Sequence, residues 1–342
     1  MKLLLLAPLL APVLGLPRHQ VEPPPAAPPK VQVYVFLGQS NMLGYGQIAP
    51  QDKPGTLLNL VHEQGKYAWL LDEEGGWVER DDVHYAQTTV NHRDFPLTVK
   101  DRFVGVELPF GHVVGDATEA PVLLLKACIG NRSLGWDLLP PGSERFEHGG
   151  RIWAGYKDSP NSWEKGTEPE PINWYAGKQY DDDTANAKKV LAELEKHMPG
   201  YEGQGYEIAG FVWWQGHKDQ NPALASRYEQ NLVHLIKTLR KDFDAPEARF
   251  VLATIGFGGE ALAGPGLQVA EAQLAVDGRT GKYPEFADNV RCIDARPWWR
   301  EKDVSPNGRG YHYNHNAETY MEVGRELGEA MVSILPARSG PR

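Results

Sequence analysis

Val31-Gln32-Val33-Tyr34-Val35-Phe36-Leu37-Gly38-Gln39-Ser40-Asn41-Met42 is the stretch on which the reading of the fold turns. Apolar and β-branched residues run almost unbroken over positions 31–37 and then give way to glycine and serine. A nearly continuous apolar run, in place of strict alternation, is the pattern of a parallel strand covered on both faces. Ser40 then falls at the carboxyl end of a buried strand, where open α/β sheets place their sites. Gly38 permits a tight turn, so the serine Oγ and its own N–H can face one spot. A helix N-cap serine with no chemical role fits the same residues.

Four further runs of this type lie downstream, at 120–129, 208–214, 249–255 and 290–293. Helical spacing of apolar residues marks 183–197, 225–243, 266–276 and 317–335 between and after them. Strands alternating with helices predict an open, doubly wound parallel α/β sheet with helices on both faces. Two stretches, 44–102 and 130–180, are rich in Gly, Pro, Trp and charge; loops of that size are functional or carry small extra elements. With no internal repeat and no second core, one domain over 31–337 is expected, followed by a disordered tail at 338–342.

The 342 residues are 41% hydrophobic and carry a formal charge of −10, with ten Trp. That is ample for a buried core, and the acidic balance without a basic run argues against nucleic acid or an anionic membrane as partner. Met1-Lys2 followed by a Leu-rich run to residue 16 reads as a signal peptide, too short to span a bilayer. The Pro-rich stretch 17–30 reads as an extended tether. A secreted or periplasmic protein with no membrane span follows. Nothing in the sequence speaks to its oligomeric state.

Four stations could do chemistry. Ser40 is the first. Gly130, after the second predicted strand, could turn a bare N–H towards an oxyanion. Gln215, in Trp213-Trp214-Gln215-Gly216, could donate its amide to the same oxyanion, or could satisfy a local backbone group while the tryptophans pack in the core. Last, His312 and His315 in Gly310-Tyr311-His312-Tyr313-Asn314-His315-Asn316 could be helix caps, metal ligands, or a general base with a bystander. No acidic or Cys cluster lies beside them, so metal is the weakest of these. No cofactor is expected. Asn41, Trp136 and Trp214 are candidate substrate contacts, and Trp153, Trp163 and Trp174 in the long loops could stack on a flat or ring-shaped ligand or anchor the loops.

Together these stations resemble the SGNH (GDSL-type) hydrolases, and more narrowly the sialate O-acetylesterase domain family, related to carbohydrate esterase family six. Gly38-Gln39-Ser40-Asn41-Met42, a glycine after strand two, Trp213-Trp214-Gln215-Gly216 and His312-Tyr313-Asn314 stand in the family's order, and the similarity covers about residues 31–335. The resemblance implies a flavodoxin-like three-layer sheet of order 2-1-3-4-5 and a serine esterase that removes acetyl groups from carbohydrates. It implies Ser40 as nucleophile, the N–H groups of Ser40 and Gly130 with Gln215 as oxyanion donors, and His312 as general base, with His315 in reserve. In that order Cys128 and Cys292 stand four strand steps apart, roughly 19 Å and beyond a disulfide's reach. Two positions depart from the pattern: Arg309 stands where the family has an aspartate three residues before the histidine, and Lys218 replaces an asparagine in Gly216-His217-Lys218-Asp219. Asp303 and Asp294 are the nearby candidates to orient His312. A decayed esterase that only binds glycans is the alternative. A lipase of the same superfamily is disfavoured because no amphipathic lid is evident.

Overall fold

The computed structural model describes residues 28–90 and 92–336. The expected signal peptide, most of the tether and the tail at 338–342 lie outside the described residues. Seven strands form the central sheet: β1 Val31–Gly38, β2 Arg80–Gln87, β3 Arg93–Leu97, β4 Val122–Lys126, β5 Tyr206–Trp214, β6 Arg249–Ala253 and β7 Val290–Ile293. They stand in the order β7-β6-β5-β1-β4-β2-β3. Every neighbouring pair is parallel except β2 and β3.

The pleat of β1 divides the core. Val31, Val33, Val35 and Leu37 point to one face, Tyr34 and Phe36 to the other. The first face is covered by α2 Lys178–Ala192, α3 Pro222–Asp242 and α4 Gly264–Ala275, through Val190, Leu232, Leu235 and Val269 among others. The second is covered by α1 Glu107–Asp116 and α5 Ala317–Ile334, through Phe110, Val323, Leu327 and Met331. Helix α5 begins where Asn316 accepts from the Glu318 N–H, a side-chain cap. Its interior glycines each cost about 1 kcal/mol of helix propensity. At Gly324 a Cβ would stand 2.4 Å from the Val106 carbonyl, so the glycine is what lets the start of α1 approach. Burying Val323 and Leu327 in return stabilises by roughly 1.5–3 kcal/mol each, which outweighs the loss.

The sheet is wider than the five expected strands. Strands β2 and β3 come from the first long loop, and β3 makes one edge antiparallel, so the sheet is mostly, not wholly, parallel. The second expected strand is shorter, Val122–Lys126; the Ala127 N–H still donates to the Phe36 carbonyl at 3.0 Å, and the chain runs on from there to Gly130. Helix α2 starts at Lys178, behind Gly177 at φ +90°, with Asp181 in its first turn where the helix dipole favours an acid. Helix α3 starts at Pro222, capped by Asn221, three residues before the expected start. A small antiparallel sheet, Phe146–His148, Arg151–Trp153 and Ser162–Glu164, lies inside the second long loop. Cys128 and Cys292 are both buried free thiols, one just past β4 and the other on β7. Burial pushes both thiols well above their ordinary range. Among the described residues no helix is long and apolar enough to cross a membrane.

Candidate active site

The carboxyl ends of β1, β4 and β5 meet around Ser40. At Gly38, φ is +151°, and a Cβ there would fall 2.4 Å from the Trp214 carbonyl oxygen. Only glycine lets β1 and β5 press together at this point. The chain then turns into the single helical turn Ser40–Leu43, which opens with Ser40. The first N–H groups of such a turn have no intrahelical acceptor. Gly130 faces this turn: a Cβ placed on it would lie 3.5 Å from the Ser40 Cβ. The Ser40 hydroxyl has no hydrogen-bond partner among the described residues. Asn41 is buried beside it, with its Oδ1 unpartnered.

Below the turn lies a buried ion pair that sequence reasoning missed. Lys126, at the end of β4, sets its Nζ 2.6 Å from the Glu107 carboxylate and donates to the Leu43 carbonyl at 3.3 Å. Both side chains are buried, and the cation sits at the carbonyl end of the Ser40 turn. Gln39 was also missed. Its Oε1 accepts from Gln215 Nε2 at 3.2 Å and from the N–H groups of Gly216 and Lys218 at 3.4 Å, tying β1 to the loop after β5.

Gln215 itself is fully engaged, which corrects its expected place as an oxyanion donor. Its Nε2 has two N–H bonds for three acceptors: Asp219 Oδ2 at 2.6 Å, the Arg132 carbonyl at 2.9 Å and Gln39. Its Oε1 accepts from the Tyr228 hydroxyl at 2.9 Å. Asp219 takes the N–H groups of Leu134 and Gly135 at 2.9 and 2.8 Å, so it pins the loop that follows Gly130. Burial pushes its carboxyl up to about 6, against the pull of those three donors. Trp214 is another correction. It is fully buried between Tyr313 and Tyr320, its Nε1 donating to the Thr254 carbonyl, and offers no face to a substrate. Trp136 is half-buried against the small cluster of Leu139, Ala154, Trp163 and Ala176.

His312 to His315 form a left-handed turn, with φ of 50°, 48°, 55° and 59° at four consecutive non-glycine residues. Each costs about 1–2 kcal/mol, so the surroundings must impose the turn. Tyr313 is clamped between Trp214 and Phe257, at ring distances of 5.1 and 4.8 Å. Asn314 accepts from the Gly310 N–H at 2.8 Å and donates to the Arg300 carbonyl at 3.0 Å. The Tyr320 hydroxyl donates to the His312 carbonyl at 3.4 Å.

The His312 imidazole stacks on Tyr45, with centroids 4.0 Å apart and planes 10° from parallel. Its ring nitrogens have no hydrogen-bond partner among the described residues, so Ser40 and His312 do not bond each other directly. Burial, followed by the nearby His315, His217 and Arg309, lowers its pKa to about 4. No carboxylate is among those neighbours. Asp294 is taken up by Arg296 and the Thr254 hydroxyl, and Asp303 is exposed, so neither expected carboxylate bonds the imidazole. His315 lies edge-on to Phe103 at 5.5 Å with its Nε2 enclosed and unpartnered among the described residues. Among the described residues no group of His, Cys, Asp and Glu could hold a metal ion.

A mostly parallel α/β sheet with a serine at the end of its first strand and a histidine turn before its last helix is the frame of a carboxylic ester hydrolase. The chain belongs to the family described as carbohydrate esterase, sialic acid-specific acetylesterase, which it matches over residues 30–333. A solved structure of a protein from Arabidopsis thaliana shares the fold, with a TM-score of 0.53 and 18% identity over 90% of this chain and 100% of that one. A carbohydrate acetylesterase from Xanthomonas citri gives 0.49 at 12% identity, over 89% of this chain and 56% of that one. NanS gives 0.45 at 12% identity, over 90% and 98%. No curated protein matches the sequence.

Proposed function

We propose that the protein is an exported serine esterase that removes acetyl groups from carbohydrates through Ser40 and His312. His312 takes the Ser40 proton as Oγ bonds to the acetyl carbonyl carbon, and the carbonyl electron pair moves onto oxygen. The N–H groups of Ser40 and Gly130 hold that oxyanion, with Gln215 bracing the site through Asp219 in place of donating. Collapse expels the sugar oxygen, which takes the proton from His312, and leaves acetyl-Ser40. Water, deprotonated by His312, then releases acetate and restores Ser40. Export rests on the N-terminal residues alone. The same reading treats 31–337 as one esterase domain. The five predicted strands and their covering helices make a flavodoxin-like core of order 2-1-3-4-5, with β2 and β3 added at one edge.

The observation that carries this reading is Ser40 at the end of β1, its Cβ beside Gly130 and its hydroxyl without a hydrogen-bond partner among the described residues. A fluorophosphonate probe should label the wild type and not Ser40→Ala, and 4-nitrophenyl acetate turnover should fall with it. No labelling of a folded wild type refutes the mechanism. One observation favours a second reading, a glycan-binding domain without turnover: no carboxylate backs His312, and it does not bond Ser40. Calorimetric glycan binding without ester hydrolysis would select it.

A further inference from the structure

An imidazole that must accept a proton from one direction needs its ring plane fixed. In a serine–histidine–acid triad a buried carboxylate does this, and also stabilises the imidazolium. Here the ring nitrogens of His312 have no hydrogen-bond partner among the described residues, yet its face is covered. We propose that Tyr45 is the positioning residue of His312, its phenol face taking over both tasks of the missing carboxylate; this rests on the serine esterase reading above.

The geometry of the stack is close, with a separation of 4.0 Å and planes 10° from parallel. Tyr311 meets the same imidazole edge-on at 4.9 Å and 85°, so tilting off Tyr45 runs into a second ring. Tyr45 is braced in turn, with Phe103 at 5.4 Å and His315 at 5.7 Å. It also follows Gly44 directly after the Ser40 turn, so nucleophile and clamp ride on one short segment. The backbone below is fixed independently, by the left-handed turn and by the Tyr320 hydroxyl on the His312 carbonyl.

The second task follows from charge. A neutral imidazole on a phenol face gains only stacking energy, whereas an imidazolium gains a cation–π attraction as well. The contact therefore strengthens as the proton arrives, which lowers the barrier and not merely the ground state. The other charged or titratable groups around the ring are His315, His217 and Arg309, all of which oppose the imidazolium. Of the two phenol rings on the imidazole, Tyr45 is the nearer and lies parallel to it at 4.0 Å, while Tyr311 stands at right angles at 4.9 Å.

The test compares Tyr45→Phe with Tyr45→Leu in the full chain, using 4-nitrophenyl acetate. The phenylalanine keeps the ring and should keep kcat. The leucine should lower kcat by about 3- to 30-fold, the range of a partly desolvated cation–π contact, with KM within twofold of wild type. Loss of the attraction to the imidazolium should also move the acid limb of kcat/KM downward in Tyr45→Leu and not in Tyr45→Phe. A leucine variant with wild-type kcat and acid limb overturns the proposal. If Tyr45→Leu does not fold, imidazole NMR of the wild type decides: the His312 ring protons should be displaced upfield by the phenol ring current, and undisplaced signals overturn the proposal. Fluorophosphonate labelling separates the two claims. A wild type that labels at Ser40 while Tyr45→Leu behaves normally sinks the clamp alone, and a wild type that never labels sinks the esterase reading with it.

Discussion

Replacing Lys126 with methionine removes a charge and leaves its stem. In the wild type the ammonium meets Glu107 at 2.6 Å and the Leu43 carbonyl at 3.3 Å, with both side chains buried. The variant leaves Glu107 buried without its partner, which costs about 3–5 kcal/mol when one member of a buried pair is removed. At roughly 2–4 °C per kcal/mol, Tm should fall by about 6–20 °C. Lys126→Met/Glu107→Leu removes both charges, and such apolar replacements are often neutral, so the double variant should regain most of that loss. It still lacks the donor to Leu43, a contribution of about 1 kcal/mol at the carbonyl end of the Ser40 turn. Its kcat should therefore stay below wild type while its stability returns. Thermal and urea denaturation read the first quantity, and 4-nitrophenyl acetate turnover the second. A single variant that loses less than about 1 kcal/mol, or a double variant no better than the single, would refute the reasoning.

Gly38→Ala puts a Cβ 2.4 Å from the Trp214 carbonyl oxygen, so the junction of β1 and β5 must move, and fluorophosphonate labelling of Ser40 should slow sharply. Asp219→Ala leaves the Leu134 and Gly135 N–H groups without their acceptor in the interior, while Gln215 keeps the Arg132 carbonyl and Gln39; a loss of about 3 kcal/mol in urea denaturation is expected. On the proposed mechanism His312 acts as a base in its neutral form; with its pKa lowered to about 4, kcat/KM should hold from near pH 5 upward and fall about tenfold per unit below pH 4. A negatively charged phosphonate adduct on Ser40 should raise the His312 pKa by about two to three pH units, read by NMR titration.

Much of the core was legible because it follows from apolar periodicity. The run at 31–37 and the stripe Tyr320, Val323, Leu327, Met331, Ile334 each read directly as a strand and a helix. Strand β2, Arg80-Asp81-Asp82-Val83-His84-Tyr85-Ala86-Gln87, was not legible, because charge fills its first half and only the second half is buried. Helix α1 holds Pro109, Gly111 and Gly115, which argue against a helix locally; its packing against α5 overrides that propensity. At the site, residue types at strand ends made Ser40 and Gly130 candidates, and the place before the last helix made His312 one. Gln215 and Trp214 looked functional for the same reason, yet whether a polar or aromatic side chain faces the crevice or the core depends on contacts from distant parts of the chain. Tyr45 and Lys126 carry no sequence signal at all, since stacking and buried pairing appear only once β1, β4 and the histidine turn are brought together.

An imidazole with a pKa of about 4 is a poor base for a serine hydroxyl, and this is the strongest objection to a dyad without a carboxylate. The reaction itself supplies what is missing. As Oγ bonds to the carbonyl carbon, one negative charge appears on the acyl oxygen beside the ring, within about 4–5 Å in any acyl transfer of this kind. At an effective dielectric constant of about 20, that pair attracts by roughly 3–4 kcal/mol. Divided by about 1.4 kcal/mol per pH unit, this lifts the proton affinity of His312 back to that of an ordinary imidazole. On the proposed mechanism the base is then weak in the resting enzyme and adequate in the tetrahedral state, so the stabilisation falls where it speeds the step. A permanent carboxylate would spread part of that attraction over the ground state. The phosphonate adduct fixes the same charge at Ser40, and a His312 pKa that stayed near 4 in the adduct would show that the developing oxyanion does not reach the imidazole.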